Sequence, residues 1–289
     1  MNSLANPAPT AMPGTLYVVA TPIGNLEDIT LRALRVLASV ALIAAEDTRT
    51  TRKLLAHYDL HTPLTSLHAH TDPEKIAALV ARLTAGESIA VVSEAGTPGI
   101  SDPGEALVRA AIAAGIRVSP VPGPSALIAA LSVAGIPAAR FVFEGFLPRQ
   151  KAERRRRLAP LANDPRALVL YESPRRLVAT LRELAALLGD RPAAVARELT
   201  KQFEEIERGA LSALAERYAA APPRGEVVIV VAGASGPPPA APTGDALARA
   251  QELLAAGRSP TAAARELAAT CGLSRRRAYE TVLRARERP

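Results

Sequence analysis

Four short stretches of this chain share one design, an apolar strand that runs directly into a turn rich in glycine and proline. They are Val18-Val-Ala-Thr-Pro-Ile-Gly-Asn25, Val91-Val-Ser-Glu-Ala-Gly-Thr-Pro-Gly99, Val118-Ser-Pro-Val-Pro-Gly-Pro-Ser-Ala126 and Leu168-Val-Leu-Tyr-Glu-Ser-Pro-Arg-Arg176. Short apolar runs of this kind suit strands of a buried sheet. Glycine then lets a ligand approach the backbone, and proline leaves little entropy to lose on binding. Open α/β sheets bind ligands beyond the carboxyl ends of their strands. Four rigid turns therefore predict an α/β enzyme with a bulky cofactor.

Strand and helix patterns alternate through the first half. Strands are expected over 16–20, 41–45, 89–93 and 117–121. Helices are expected from about Asp28, with Leu31, Leu34 and Leu37 on one face, and over 50–58, 73–85, 104–114 and 125–133. Such repetition requires a parallel sheet. The pattern restarts near Pro137, with strands over 141–144, 168–171, 194–197 and 227–232 and helices over 173–188 and 211–220. Its less regular connections predict a second, mixed α/β domain. The expected division is a disordered leader (1–14), α/β domains (15–137 and 138–235), a proline-rich linker (236–242) and a three-helix unit (243–289).

The charge of +7 and pI of about 10.0 favour an anionic partner, although 31 Arg against 4 Lys also reflects a compositional bias. A single cysteine, Cys271, excludes a disulfide framework and a cysteine zinc site, and fits a reducing, cytoplasmic setting. The longest uncharged span, 118–139, is broken by four prolines, so no membrane helix is expected; the N-terminus has no signal-peptide pattern.

Several motifs carry chemistry. In Glu94-Ala-Gly-Thr-Pro-Gly-Ile-Ser-Asp-Pro-Gly104, Thr97 and Asp102 can accept ligand hydrogen bonds; the plainer alternative has Asp102 capping the next helix. Pro122-Gly-Pro-Ser-Ala126 presents a helix N-terminus, with Ser125 at the N-cap. No dinucleotide or P-loop signature is present. Ala45-Glu-Asp-Thr-Arg49 orients a substrate, or is scaffolding in which Thr48 caps a helix and Arg49 pairs with Glu46. His68-Ala-His70 lacks partners at metal-binding spacing, so no metal is expected. The run 149–157 holds six basic residues against one acid and reads as a phosphate contact, the plainer alternative being a solvated helix face. The tail has helix-turn-helix spacing: Gly272 at the turn, Ser274 as a cap, then Arg275, Arg276 and Arg277. With only nine aromatic residues, stacking platforms for single-stranded RNA are not expected.

Taken in order, Thr21-Pro-Ile-Gly-Asn-Leu26, Ala45-Glu-Asp-Thr-Arg49, Gly96-Thr-Pro-Gly-Ile-Ser-Asp-Pro-Gly104, Pro122-Gly-Pro-Ser-Ala126, Glu144-Gly-Phe-Leu-Pro148, Tyr171-Glu-Ser-Pro-Arg175 and Arg197-Glu-Leu-Thr-Lys201 form a specific set. It resembles the tetrapyrrole methylase-like (class III) S-adenosylmethionine-dependent methyltransferases, and among them the bacterial branch acting on small-subunit ribosomal RNA. The resemblance covers 16–233 and extends into the tail; Glu94 stands where that branch usually has Asp, and Thr71-Asp72 where it has Asn-Glu. It implies two α/β domains with S-adenosylmethionine in the cleft between them, a homodimer, and 2′-O-methylation of a cytidine ribose in the decoding region, on the RNA or the 30S particle. By position, Gly96, Thr97, Ile100, Ser125, Ala126 and Tyr171 would hold the cofactor, with Pro22 lining the cleft.

A ribose hydroxyl is a weak nucleophile that a nearby base or cation would help. Glu46, Asp47, Glu198 and Lys201 are the unranked candidates; Arg49, Arg154, Arg155, Arg156, Arg157, Arg275, Arg276 and Arg277 are the expected RNA contacts. Two rivals stay open: a methyltransferase of a small tetrapyrrole, which would not need the basic run or tail, and a nucleic-acid-binding regulator, which would not need the elaborate turns.

Overall fold

The computed structural model describes residues 14–68, 70–234, 244–271, 273 and 275–287. The expected leader (all but Gly14), the linker 236–242, and Gly272 and Ser274 lie outside the described residues. Two compact units emerge, one up to Ala234 and one after it.

The first half alternates as the apolar periodicity dictates: β1 (Thr15–Val19), α1 (Leu31–Ser39), β2 (Leu42–Ala45), α2 (Thr48–His57), β3 (Leu64–Ser66), α3 (Pro73–Thr84), β4 (Ile89–Val92), α4 (Glu105–Ala113), β5 (Arg117–Val121) and α5 (Ala126–Val133). The five strands form a parallel sheet in the order β3-β2-β4-β1-β5. Strand β4, Ile-Ala-Val-Val, is buried throughout because helices cover both faces: Ala90 and Val92 join one core cluster, Ile89 and Val91 the other.

The second half adds β6 (Phe141–Phe146), α6 (Lys151–Leu158), β7 (Ala167–Glu172), α7 (Leu177–Leu188), β8 (Pro192–Arg197), β9 (Glu205–Ala210), α8 (Leu211–Ala220) and β10 (Val227–Val231). Its sheet, β6-β7-β10-β8-β9, is mixed: β6 and β7 are parallel and the other pairs antiparallel. Helices α7 and α8 cover one face through Leu181, Leu184, Leu211 and Leu214. The other face meets α5, where Leu127, Ala130 and Ala134 pack on Val169, Ala194, Ala196, Val228 and Val230. Helix α5 thus follows the first sheet in sequence but buries itself on the second, and that contact brings the two sets of loops together.

Three sequence expectations change. Leu31, the first residue of α1 after its Thr30 cap, is 80% exposed; Ala33 and Leu37 carry the buried face. The helix expected from Ser173 starts at Leu177, after a turn at Ser173-Pro-Arg-Arg176. Strands β3 and β9 were not anticipated, since β3 is only three half-buried residues and β9 is half-buried and charged, and neither has an apolar run.

In the C-terminal unit, α9 (Gly244–Ala255), α10 (Pro260–Cys271) and α11 (Arg275–Glu287) enclose a core of Ala250, Leu253, Ala263, Ala264, Leu267, Ala278, Val282 and Ala285. No described helix is long and apolar enough to cross a membrane.

Candidate active site

The turn after β1 and the turn after β4 are joined by a two-residue bridge. The Thr21 N–H donates to the Gly96 carbonyl at 2.9 Å, and the Gly96 N–H returns to Thr21 at 3.0 Å. Gly96 has φ +83°, a conformation that suits glycine, and a Cβ there would stand 3.3 Å from Ile23. The turn after β5 is tied in by the Thr97 hydroxyl, which donates to the Pro124 carbonyl at 3.3 Å. From the second sheet, the Tyr171 hydroxyl accepts the Leu127 N–H at 3.2 Å, at the start of α5. Burial raises the Tyr171 pKa above its ordinary value; the Leu127 bond opposes this and the charge of Asp102 adds to it.

These ties enclose a cavity of about 410 Å³, within the ~300–1,000 Å³ of small-ligand sites. Gly96, Thr97, Ile100, Ser125, Ala126 and Tyr171 all line it; Pro22 does not, and its neighbour Ile23 does. Ser125 occupies the N-cap position of α5 but its side chain makes no capping bond.

The charged lining is one-sided. Glu46, Glu94, Asp102, Glu172 and Glu226 contribute carboxylates, and no lysine, arginine or histidine is among the lining residues. Asp102 does not cap α4, whose N-cap is Gly104. Its pKa is pushed up to about 6, first by burial and then by the charge of Glu46, against a hydrogen bond from Ser93. Burial also raises Glu94, with Glu46 and Asp47 adding repulsion, while the Glu94 N–H donates to Glu46 at 3.2 Å. Glu172 is buried and satisfied: Thr180 Oγ1 donates at 2.6 Å, the Ser173 N–H at 2.8 Å, and Arg176 lies at 3.4 Å.

Of the four base candidates read from sequence, only Glu46 reaches the cavity lining. Asp47, not Thr48, caps α2, and Asp47, not Glu46, pairs with Arg49 (2.9 Å). That bond holds the Asp47 carboxyl at about 2. Glu198 and Lys201 pair at 2.9 Å, and Lys201 also reaches Glu226 at 3.2 Å. Burial opposes both charges, but the pairing prevails, lowering Glu198 and raising Lys201. Glu198 (φ +50°) and Thr200 (φ +66°) hold this hairpin in a conformation that non-glycine residues seldom adopt.

The basic run forms α6. Arg154 is largely buried and hydrogen-bonds Glu183 through Nε at 2.5 Å; Arg155 lies 3.9 Å from the same carboxylate; Arg157 pairs with Glu144; Arg156 is exposed. In the C-terminal unit Arg275 is exposed, Arg276 pairs with Glu280 at 3.1 Å, and Arg277 is half-buried. Sequence reading left Glu94, Glu226 and Phe146 without a role. Glu94 and Phe146 lie inside motifs that signalled a site, whereas Glu226 precedes an ordinary apolar strand and carries no such signal.

The two sheets and the cavity define an α/β protein with a small-ligand site. A family model described as tetrapyrrole (corrin/porphyrin) methylases matches residues 15–215. The chain belongs to this family of S-adenosylmethionine-dependent methyltransferases. Within it, the chain is 55% identical over 226 residues to a protein of Xylella fastidiosa (strain Temecula1) named ribosomal RNA small subunit methyltransferase I, covering 77% of this chain and 83% of that one. A protein of the same name from Thermotoga maritima is 47% identical over 220 residues, which is 76% of this chain and 99% of the relative. The fold also matches a solved uroporphyrin-III C-methyltransferase from Thermus thermophilus, complexed with S-adenyl homocysteine, with TM-score 0.54 and 21% identity, over 76% of this chain and 97% of that one.

Proposed function

We propose that this chain uses S-adenosylmethionine to methylate small-subunit ribosomal RNA, at the 2′-oxygen of a cytidine ribose in the decoding region. The observation that carries the reading is the cavity's one-sided charge. Glu172 and Glu226 are paired with cations outside the lining, but Glu46, Glu94 and Asp102 have no ion-pair partner among the described residues. Such carboxylates favour a positively charged ligand and repel phosphates, so the cavity suits a sulfonium cofactor and a ribose whose phosphates stay outside. The names of the relatives direct the reading to ribosomal RNA.

S-adenosylmethionine supplies an electrophilic methyl group. Gly96, Thr97, Ile100, Ser125, Ala126 and Tyr171 would hold it, the positive φ of Gly96 leaving the backbone open to close approach. Asp102 is the carboxylate best matched to take the proton of the 2′-hydroxyl, because a pKa of about 6 leaves it ionised at neutral pH yet basic enough to bind a proton. Lys201, held charged by two glutamates, fixes the hairpin at the cavity edge instead of acting as a base. Exposed Arg155, Arg156 and Arg275, together with Arg276, offer phosphate contacts. The helix-turn-helix reading of the tail, a homodimer and a cytoplasmic location belong to the same proposal. The regulator reading is disfavoured, because a relative is matched over nearly its whole length by 220 residues, more than the C-terminal unit contains.

The test is methyl transfer from labelled S-adenosylmethionine to unmodified small-subunit particles, followed by mapping of the labelled nucleotide. Label on a ribose 2′-oxygen is the expected result. Cofactor binding without RNA labelling on either particles or free RNA would defeat the reading.

A further inference from the structure

A chain with four phenylalanines and no tryptophan leaves one of those phenylalanines 55% exposed in the wall of its cavity. This is Phe146, the last residue of β6, and the backbone is built to put it there. Strand β6 pairs with β7 as Phe143↔Val169, Gly145↔Leu170 and Phe146↔Tyr171, so Glu144 is an inserted residue and the strand carries a bulge. Side chains alternate along a regular strand, so positions 143 and 145 would share a face and 146 would turn away. The extra residue resets the phase, and Phe143 and Phe146 both meet Tyr171, with ring centroids at 4.9 and 5.6 Å in edge-to-face geometry.

The bulge depends on Gly145, whose φ is +59° and whose absent Cβ would stand 2.9 Å from the hydroxyl of Ser101, itself a cavity residue at φ +65°. Two irregular backbones therefore meet where the ring is aimed. Tyr171 is fixed in turn by its bond with Leu127, so the edge of Phe146 rests on a rigid support while much of its surface stays open. Beyond it the chain passes through exposed Arg149 into α6, where Lys151, Arg155 and Arg156 are exposed. An aromatic ring at an anionic cavity, followed within ten residues by exposed cations, has the layout of a nucleotide site with the base at the ring and the phosphates on the helix.

We propose that Phe146 is the stacking platform for the base of the nucleotide being methylated, an unpaired nucleotide turned out of its helix so that its ribose enters the cavity. The assignment rests on the RNA-methyltransferase reading above and reverses the expectation that so aromatic-poor a chain would stack no base.

The experiment compares full-length wild type, Phe146→Leu and Phe146→Tyr on unmodified small-subunit particles, with cofactor affinity measured separately by calorimetry. Leucine should raise KM for the particle roughly tenfold or more, the effect of one lost base stack, with cofactor affinity within about twofold of wild type; tyrosine should restore KM. An unchanged KM in a folded Phe146→Leu protein overturns the platform. So does weakened cofactor binding, which would place the cofactor's own adenine against the ring. If Phe146→Leu does not fold, Phe146→Tyr and Phe146→Trp decide: a platform keeps KM at or below the wild-type value in both, and a large rise in both overturns it. A wild type that binds cofactor but labels no RNA overturns the functional reading first, and the platform with it.

Discussion

At the scale of single residues, environment separates carboxylates that look alike in sequence. Asp47 and Asp102 both follow a strand of the parallel sheet. Asp47 is bound by an exposed arginine and held at about 2, whereas Asp102 is desolvated among other acids and raised to about 6. If Asp102 is the base, log kcat should climb with unit slope up to about pH 6 and level off above it, because the ionised form is the active one. Asp102→Asn should remove that inflection and lower kcat by roughly 10²–10⁴-fold with RNA affinity unchanged; a pH–rate profile with RNA binding measured in parallel checks both. The same shift acts on stability in the opposite sense. A raised carboxylate pKa means the folded state binds the proton more tightly than the unfolded chain, so this group's contribution is favourable at low pH and is lost as pH rises from about 4 through 6. Asp102→Asn should therefore raise the melting temperature relative to wild type at pH 8 more than at pH 4. Lys201→Ala should leave Glu198 and Glu226 without their shared cation and cost about 1–3 kcal/mol, the usual penalty for stranding a partly buried partner, as read from denaturant midpoints.

At the scale of elements, the bulge in β6 and the hairpin after β8 are the places where regular structure yields to the site. Gly145→Ala should destabilise the protein by about 1–2 kcal/mol, since a left-handed backbone disfavours a Cβ and Ser101 crowds the position; thermal denaturation measures it. These features also mark where the sequence was legible. Strands β4 and β5 and helix α8 can be read to within a residue because a glycine or proline stands close to each of their ends. Strands β3 and β9 could not, because one is three residues long and the other is half-buried and charged, so neither shows an apolar run. The bulge was hidden as well: Phe-Val-Phe-Glu-Gly-Phe carries the glycine that permits it, but the phase of a strand shows only against its partner.

At the scale of the whole molecule, the unit up to Ala234 contains both sheets and every residue lining the cavity. A chain ending at Ala234 should fold and bind S-adenosylmethionine with unchanged affinity by calorimetry. It should bind RNA more weakly and with a shallower salt dependence, because residues 243–289 carry nine arginines against five acids. Loss of cofactor binding on truncation would show that the C-terminal unit completes the site.

The sequence by itself determined the parallel sheet, the presence of a second set of strands, the loops that form the cavity and the family. Each of these is written locally, in period, turn chemistry and motif order. Only the tertiary structure decided which charges share the cavity. Glu46, Glu94 and Asp102 come from two loops of the first sheet, after β2 and after β4, and Glu226 at the entry to β10 joins them because α5 buries itself on the second sheet. A pKa depends on that assembled distance and burial, so neither the contrast between Asp102 and Asp47 nor the aim of Phe146 could be read along the chain.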